Sequence, residues 1–152
     1  MRSATIRRAT AIDVPAIVAL LADDVLGAGR ESLAPEALVD YRRAFREIDA
    51  SESNTLLVAE LEGVVVGTLQ LTIIPGMSRR GSRRAEIEAV RVASTLRGRG
   101  IGEALVRDAI DRARGQACVS IQLISHATRT DAHRFYARLG FAASHVGMKL
   151  ML

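Results

Sequence analysis

The chain has 152 residues, 49% hydrophobic and 25% charged, a balance that fits one soluble domain, residues 1–152, with a buried core and argues against disorder. No apolar run is long enough to span a membrane, and the opening MRSATIRRATAID lacks the apolar heart of a secretory signal, so a cytoplasmic protein without a membrane partner is expected. The net charge is +4 and is densest at Ser78–Arg84, but aromatics are 3% of the chain and no recognition helix accompanies the cluster, so no nucleic-acid partner is expected.

Ala4–Thr10 can form a first strand. Residues 11–27 then show helical spacing, with Val14, Ile17, Val18 and Leu21 on one face and Thr10 or Asp13 placed to cap it. Gly27 and Gly29 break this helix into a loop, and a second helix runs from Pro35, suited to a first turn, to Ile48. Ser51–Asn54 reads as a turn. Thr55–Ile74 holds two strands joined at Glu62-Gly63, close enough for a hairpin. Pro75–Ser82 is a loop, and Arg84–Ser94 is a fourth strand. Its apolar residues Ile87, Val90 and Val92 change phase midway, which a two-residue period allows only with an extra residue, so a β-bulge is expected near Ala89.

A helix over 100–114 follows, with Ile101, Leu105, Val106, Ala109, Ile110 and Ala113 on its apolar face and Arg112, Arg114 and Gly115 suited to its C-terminal end. CVSIQLI is a fifth strand, TDAHRFYARLG a short helix closed by Gly140, and FAASHVGMKLML one or two last strands. The order implies a parallel crossover inside a sheet otherwise connected by hairpins. Cys118, the only cysteine, reads as a small core hydrophobe. His126, His133 and His145 are irregularly spaced, so no metal site is expected.

The stretch LRGRGIGEAL, Leu96–Leu105, sets three glycines directly before a helix. A helix start leaves backbone N–H groups without partners, and the macrodipole makes them electropositive. Glycines remove the side chains that hold a phosphate away from those amides, while Arg97 and Arg99 add positive charge. The stretch therefore reads as a diphosphate cradle. A P-loop needs Gly-Lys-Ser/Thr, but Glu103 follows Gly102; a dinucleotide loop needs a glycine where Glu103 stands.

Arg97, Gly100 and Gly102 match Arg/Gln-x-x-Gly-x-Gly/Ala, and FYARLGF, Phe135–Phe141, places a tyrosine four residues before Gly-Phe. With the element order, these features resemble the GCN5-related N-acetyltransferases over essentially the whole chain. The resemblance implies an α/β fold with a splayed, mixed, mostly antiparallel sheet of six or seven strands flanked by about four helices. It implies an acyltransferase of class EC 2.3.1, with acetyl-CoA as acyl donor, a small primary amine as acceptor and no metal. The pyrophosphate would lie on Arg97, Gly98, Arg99, Gly100, Ile101, Gly102 and Glu103, and the pantetheine arm along Val90, Arg91 and Val92, with Tyr136 beside the cofactor. An Asn often stands seven residues before that tyrosine; here it is Arg129. Dimers of this family often pair their final strands across a two-fold axis, so a homodimer is a further expectation.

The chemistry narrows the roles. An alkylamine with a pKa of about 10 is mostly protonated at neutral pH, so a base must take its proton. Glu88 is the expected base, with Glu86 in reserve. The oxyanion needs a fixed donor, for which the N–H of Val90 or Val92 is the family-like choice. Tyr136 is the expected acid for the departing thiolate. Asp23, Asp24 and Glu31 can attract a cationic amine, although solvated charges at a helix end are the plainer reading. A protein or peptide acceptor and a non-catalytic acyl-CoA-binding regulatory module remain the alternatives.

Overall fold

A computed structural model describes residues 3–152. Its strands are β1 (Thr5–Arg8), β2 (Asn54–Leu61), β3 (Val64–Pro75), β4 (Arg83–Val92) and β5 (Cys118–Gln122). Its helices are α1 (Val14–Ala22), α2 (Pro35–Ala50), a short turn α3 (Ser78–Gly81), α4 (Ile101–Gly115) and α5 (Thr130–Arg138). The strands make one sheet in the order β1-β2-β3-β4-β5. The first four are antiparallel, and β5 joins β4 in parallel after the α4 crossover.

Local chemistry accounts for the joints. Glu62 and Gly63 both have positive φ, 52° and 81°, which gives the twist a two-residue hairpin turn requires. At the start of the first helical segment the Asp13 carboxylate accepts from the Thr10 N–H at 2.7 Å and from both Arg7 terminal nitrogens at 2.8 and 2.9 Å. The helix expected over 11–27 is instead a 3-10 turn, Ala11–Asp13, followed by α1, and it ends at Ala22, five residues short. Residues 23–34 then form the loop before α2.

Adjacent strand residues point to opposite faces. Leu57 packs with Leu69, Ile87, Leu105 and Val106 beneath α4, whereas its neighbour Val58 packs with Val14, Val18 and Phe45 beneath α1 and α2. The sheet is thus covered on both sides.

Two expectations about β4 and the C-terminus diverge. The bulge stands where the phase change placed it: Glu88 faces Gln70 and Arg91 faces Thr68, so two β4 residues oppose one on β3, and Ala89 has φ 53°. The final strands do not form. Among the described residues the sheet has five strands, not six or seven, because residues 141–152 make no ladder, although Val146, Met148 and Leu150 alternate as a strand would. Those three side chains are 89%, 94% and 83% exposed, so among the described residues no neighbouring strand receives the pattern.

Candidate active site

β4 and β5 pair only as far as Glu86 and Gln122. β5 ends there, so residues 87–92 keep β3 on one side and carry no ladder on the other, which leaves a wedge-shaped gap along that edge of β4. The bulge sits inside this unpaired stretch. Two guanidiniums partly take the place of the missing strand: Arg91 donates to its neighbour Val90 O at 2.8 Å, and Arg97 donates to Val92 O at 3.4 Å and to Asp23 O at 2.9 Å. Asp23 in turn accepts from the Ser94 N–H at 2.7 Å, so the loop after α1 is fastened to the end of β4.

The glycine loop lies at the mouth of the wedge. Gly98 and Gly100 have φ of 76° and 80°, and a Cβ built on either would meet nothing within 4 Å. The first helical bond of α4 runs from Ala104 N–H to Gly100 O, leaving the Ile101, Gly102 and Glu103 amides at the open helix end. Ile101 is buried and anchors that end in the core, while Arg99 is exposed. Glu103 is held down the helix by Arg107 at 2.7 Å, which leaves its amide rather than its carboxylate at the mouth. A Cβ on Gly102 would touch Phe135 and Val92 at 3.5 Å, so this glycine marks where α4, α5 and β4 meet. Bared amides, a positive helix end and open space above them fit a diphosphate, and the unpaired β4 edge fits an extended amide-bearing arm. Among the described residues no group of three or more His, Cys, Asp or Glu gathers as metal ligands would.

Tyr136, on α5, is mostly enclosed. Its ring meets Phe135 and Phe141 edge-on, at centroid distances of 5.0 and 5.7 Å. Burial raises its pKa above the usual tyrosine value, against the opposing pull of Arg129 and Arg91. It therefore keeps its proton through neutral pH. Glu88 is exposed beside the bulge, whereas Glu86 accepts from Gln122 Nε2 at 2.9 Å and serves the β4–β5 joint. Of the two carboxylates, Glu88 is the one left to the wedge. A cavity of about 160 Å³, lined by Val18, Tyr41, Phe45, Leu56, Gln70 and Ala89 among others, backs the bulge on the α1/α2 side.

Sequence reasoning missed one group. Asp24 is not a solvated charge at a helix end: its side chain is 8% exposed and lies between Arg91 and Arg129, 3.4 Å from each. Glu31 is also largely covered; it accepts from the Tyr41 hydroxyl at 2.6 Å, which lowers the pKa of the carboxyl. Arg129 at the expected asparagine position was the one signal in the sequence that this region departs from the pattern.

The acetyltransferase (GNAT) family model matches residues 20–141. A solved protein from Bacillus halodurans C-125, described as a transcriptional regulator, superposes with a TM-score of 0.95 at 48% identity, over 98% of this chain and 99% of that one. A glucosamine 6-phosphate N-acetyltransferase of Trypanosoma brucei brucei is 36% identical over 90 residues, 59% of each chain, so the match spans under two thirds of that enzyme. Glucosamine 6-phosphate N-acetyltransferase 1 of Oryza sativa subsp. japonica is 33% identical over 113 residues, 72% of this chain and 67% of that one.

Proposed function

Because the chain belongs to the GNAT acetyltransferase family, we propose that residues 1–152 act as one acetyl-CoA-dependent N-acetyltransferase domain that acetylates a small primary amine by direct transfer. The observation that carries the proposal is the glycine-bared start of α4 beside a bulged β4 whose β5-side edge has no ladder beyond Glu86.

Acetyl-CoA supplies a thioester carbonyl and a thiol leaving group. The Gly98–Glu103 amides and the α4 dipole hold the diphosphate, with Arg97 and Arg99 adding charge. The backbone of Val90, Arg91 and Val92 pairs with the pantetheine arm, and a Val90 or Val92 N–H faces the developing oxyanion. Glu88 accepts the amine's proton, directly or through one water. Tyr136 donates its phenolic proton to the departing sulfur, and its raised pKa keeps it charged with that proton.

Glucosamine 6-phosphate, which names two relatives, is the first acceptor to try. The purified protein is expected to release CoA thiol from acetyl-CoA when an accepted amine is added, and no release with any amine despite cofactor binding would overturn catalysis. A second reading, a non-catalytic acyl-CoA-responsive regulator, is favoured by the Bacillus halodurans relative. It predicts that Tyr136→Phe and Glu88→Gln are silent in every assay while Gly100→Glu abolishes cofactor binding.

A further inference from the structure

The Asp24–Arg91–Arg129 group is incompletely satisfied. Buried ion pairs normally close to about 2.7–2.9 Å, and most buried polar atoms find partners. Here both arginines stand 3.4 Å from Asp24, and the buried Asp24 Oδ2 and Arg91 Nε have no hydrogen bond. The charge is also unbalanced. Arg30 pairs with Glu31 at 3.0 Å, which leaves Asp24 alone to balance both Arg91 and Arg129. Burial, with repulsion from Arg129 and Arg30, lowers the Arg91 pKa despite the attraction of Asp24.

The location gives the imbalance a use. Arg91 belongs to the part of β4 that pairs with β3 but not with β5. Arg129 sits at the entry to α5, seven residues or about two helical turns before Tyr136, and Tyr136 feels both cations. The Arg129 side chain is 35% exposed, whereas Asp24 is covered, so Arg129 is the arm a ligand can reach.

Resting on the acetyltransferase reading, we propose that the acceptor amine carries an anionic oxygen group, a phosphate or carboxylate, and that this group docks on Arg129 and Arg91 while Asp24 braces the two guanidiniums. A planar guanidinium presents paired N–H donors that match either anion. Asp24 is thus a positioning residue, and Arg129 and Arg91 determine which amines enter.

The test uses matched amines: glucosamine 6-phosphate against glucosamine, and alanine against alaninamide. In the wild type the charged member of at least one pair has the lower KM. Arg129→Gln raises that KM at least ten-fold and moves the neutral partner's by less than two-fold, and Arg129→Lys recovers most of the loss. A response confined to one pair tells phosphate from carboxylate. Equal effects on both members of each pair, or no preference for charge in the wild type, overturn the proposal. If no amine releases thiol, the acetyltransferase reading has failed, and calorimetric titration of glucosamine 6-phosphate into the CoA-loaded protein still decides the anion site. Binding weakened ten-fold by Arg129→Gln supports it; absent or unaltered binding overturns it. Thermal melts of both variants confirm that the comparison is between folded proteins.

Discussion

Tyr136 and Glu88 owe their assigned roles to opposite environments. Tyr136 is enclosed by Phe135 and Phe141, which disfavours phenolate; Glu88 is exposed beside the bulge. A donor whose pKa is raised by the fold stays protonated until the pH passes that raised value. The kcat profile should therefore stay flat through neutrality and fall only above about 10, the ordinary tyrosine value. Tyr136→Phe should lower kcat roughly 100-fold and remove that alkaline fall, with CoA affinity unchanged. Glu88→Gln should also cost roughly 100-fold in kcat, whereas Glu86→Gln should cost little, because Glu86 is spent on Gln122. Steady-state kinetics across pH on the three variants check these outcomes. Tyr136 and the glycines were legible in the sequence because their spacing is local. The burial of Asp24 was not, because its partners Arg91 and Arg129 lie 67 and 105 positions away and only the folded loop brings them together.

At the scale of elements, the bulge of β4 shows what periodicity can reveal. Ile87 and Val90 cannot share one face of an unbroken strand, and Ala89 takes up the extra step with positive φ. Deleting Ala89 should restore a regular ladder to β3 and raise the KM for acetyl-CoA about ten-fold while the protein still melts cooperatively; an unchanged KM would contradict the role given to the bulge. The joint between β1 and α1 makes a different prediction. The hydrogen bonds from Arg7, with those from Thr10, lower the Asp13 pKa to about 2 despite burial. A carboxyl depressed in the fold stabilises it above the unfolded value of 3.8, and that stability is lost as the pH falls towards 2. Asp13→Asn should therefore cost about 2 kcal/mol at neutral pH, with the gap to wild type closing near pH 2 in denaturant titrations. The final strands failed as an expectation for a physical reason: alternation fixes which side chains share a face, not which edge, if any, the segment pairs with.

For the whole molecule, we propose that the exposed alternation of Val146, Met148 and Leu150 is met by a second copy of this chain. A homodimer that pairs these segments would supply it. Sedimentation velocity should find a dimer, and removal of residues 148–152 should shift it to monomer; a monomeric full-length protein would refute the pairing. Helices on both faces of the sheet leave the β4–β5 wedge as the place where backbone is exposed between covered surfaces, and every functional assignment made above depends on what enters it. The most direct measurement is calorimetric titration of CoA into the wild type and into Gly100→Glu, which sets a strained side chain and a negative charge at the helix start. Saturable heat is expected from the wild type and none from the folded variant. No heat from the wild type, or equal heat from both, would contradict cofactor binding at the glycine loop.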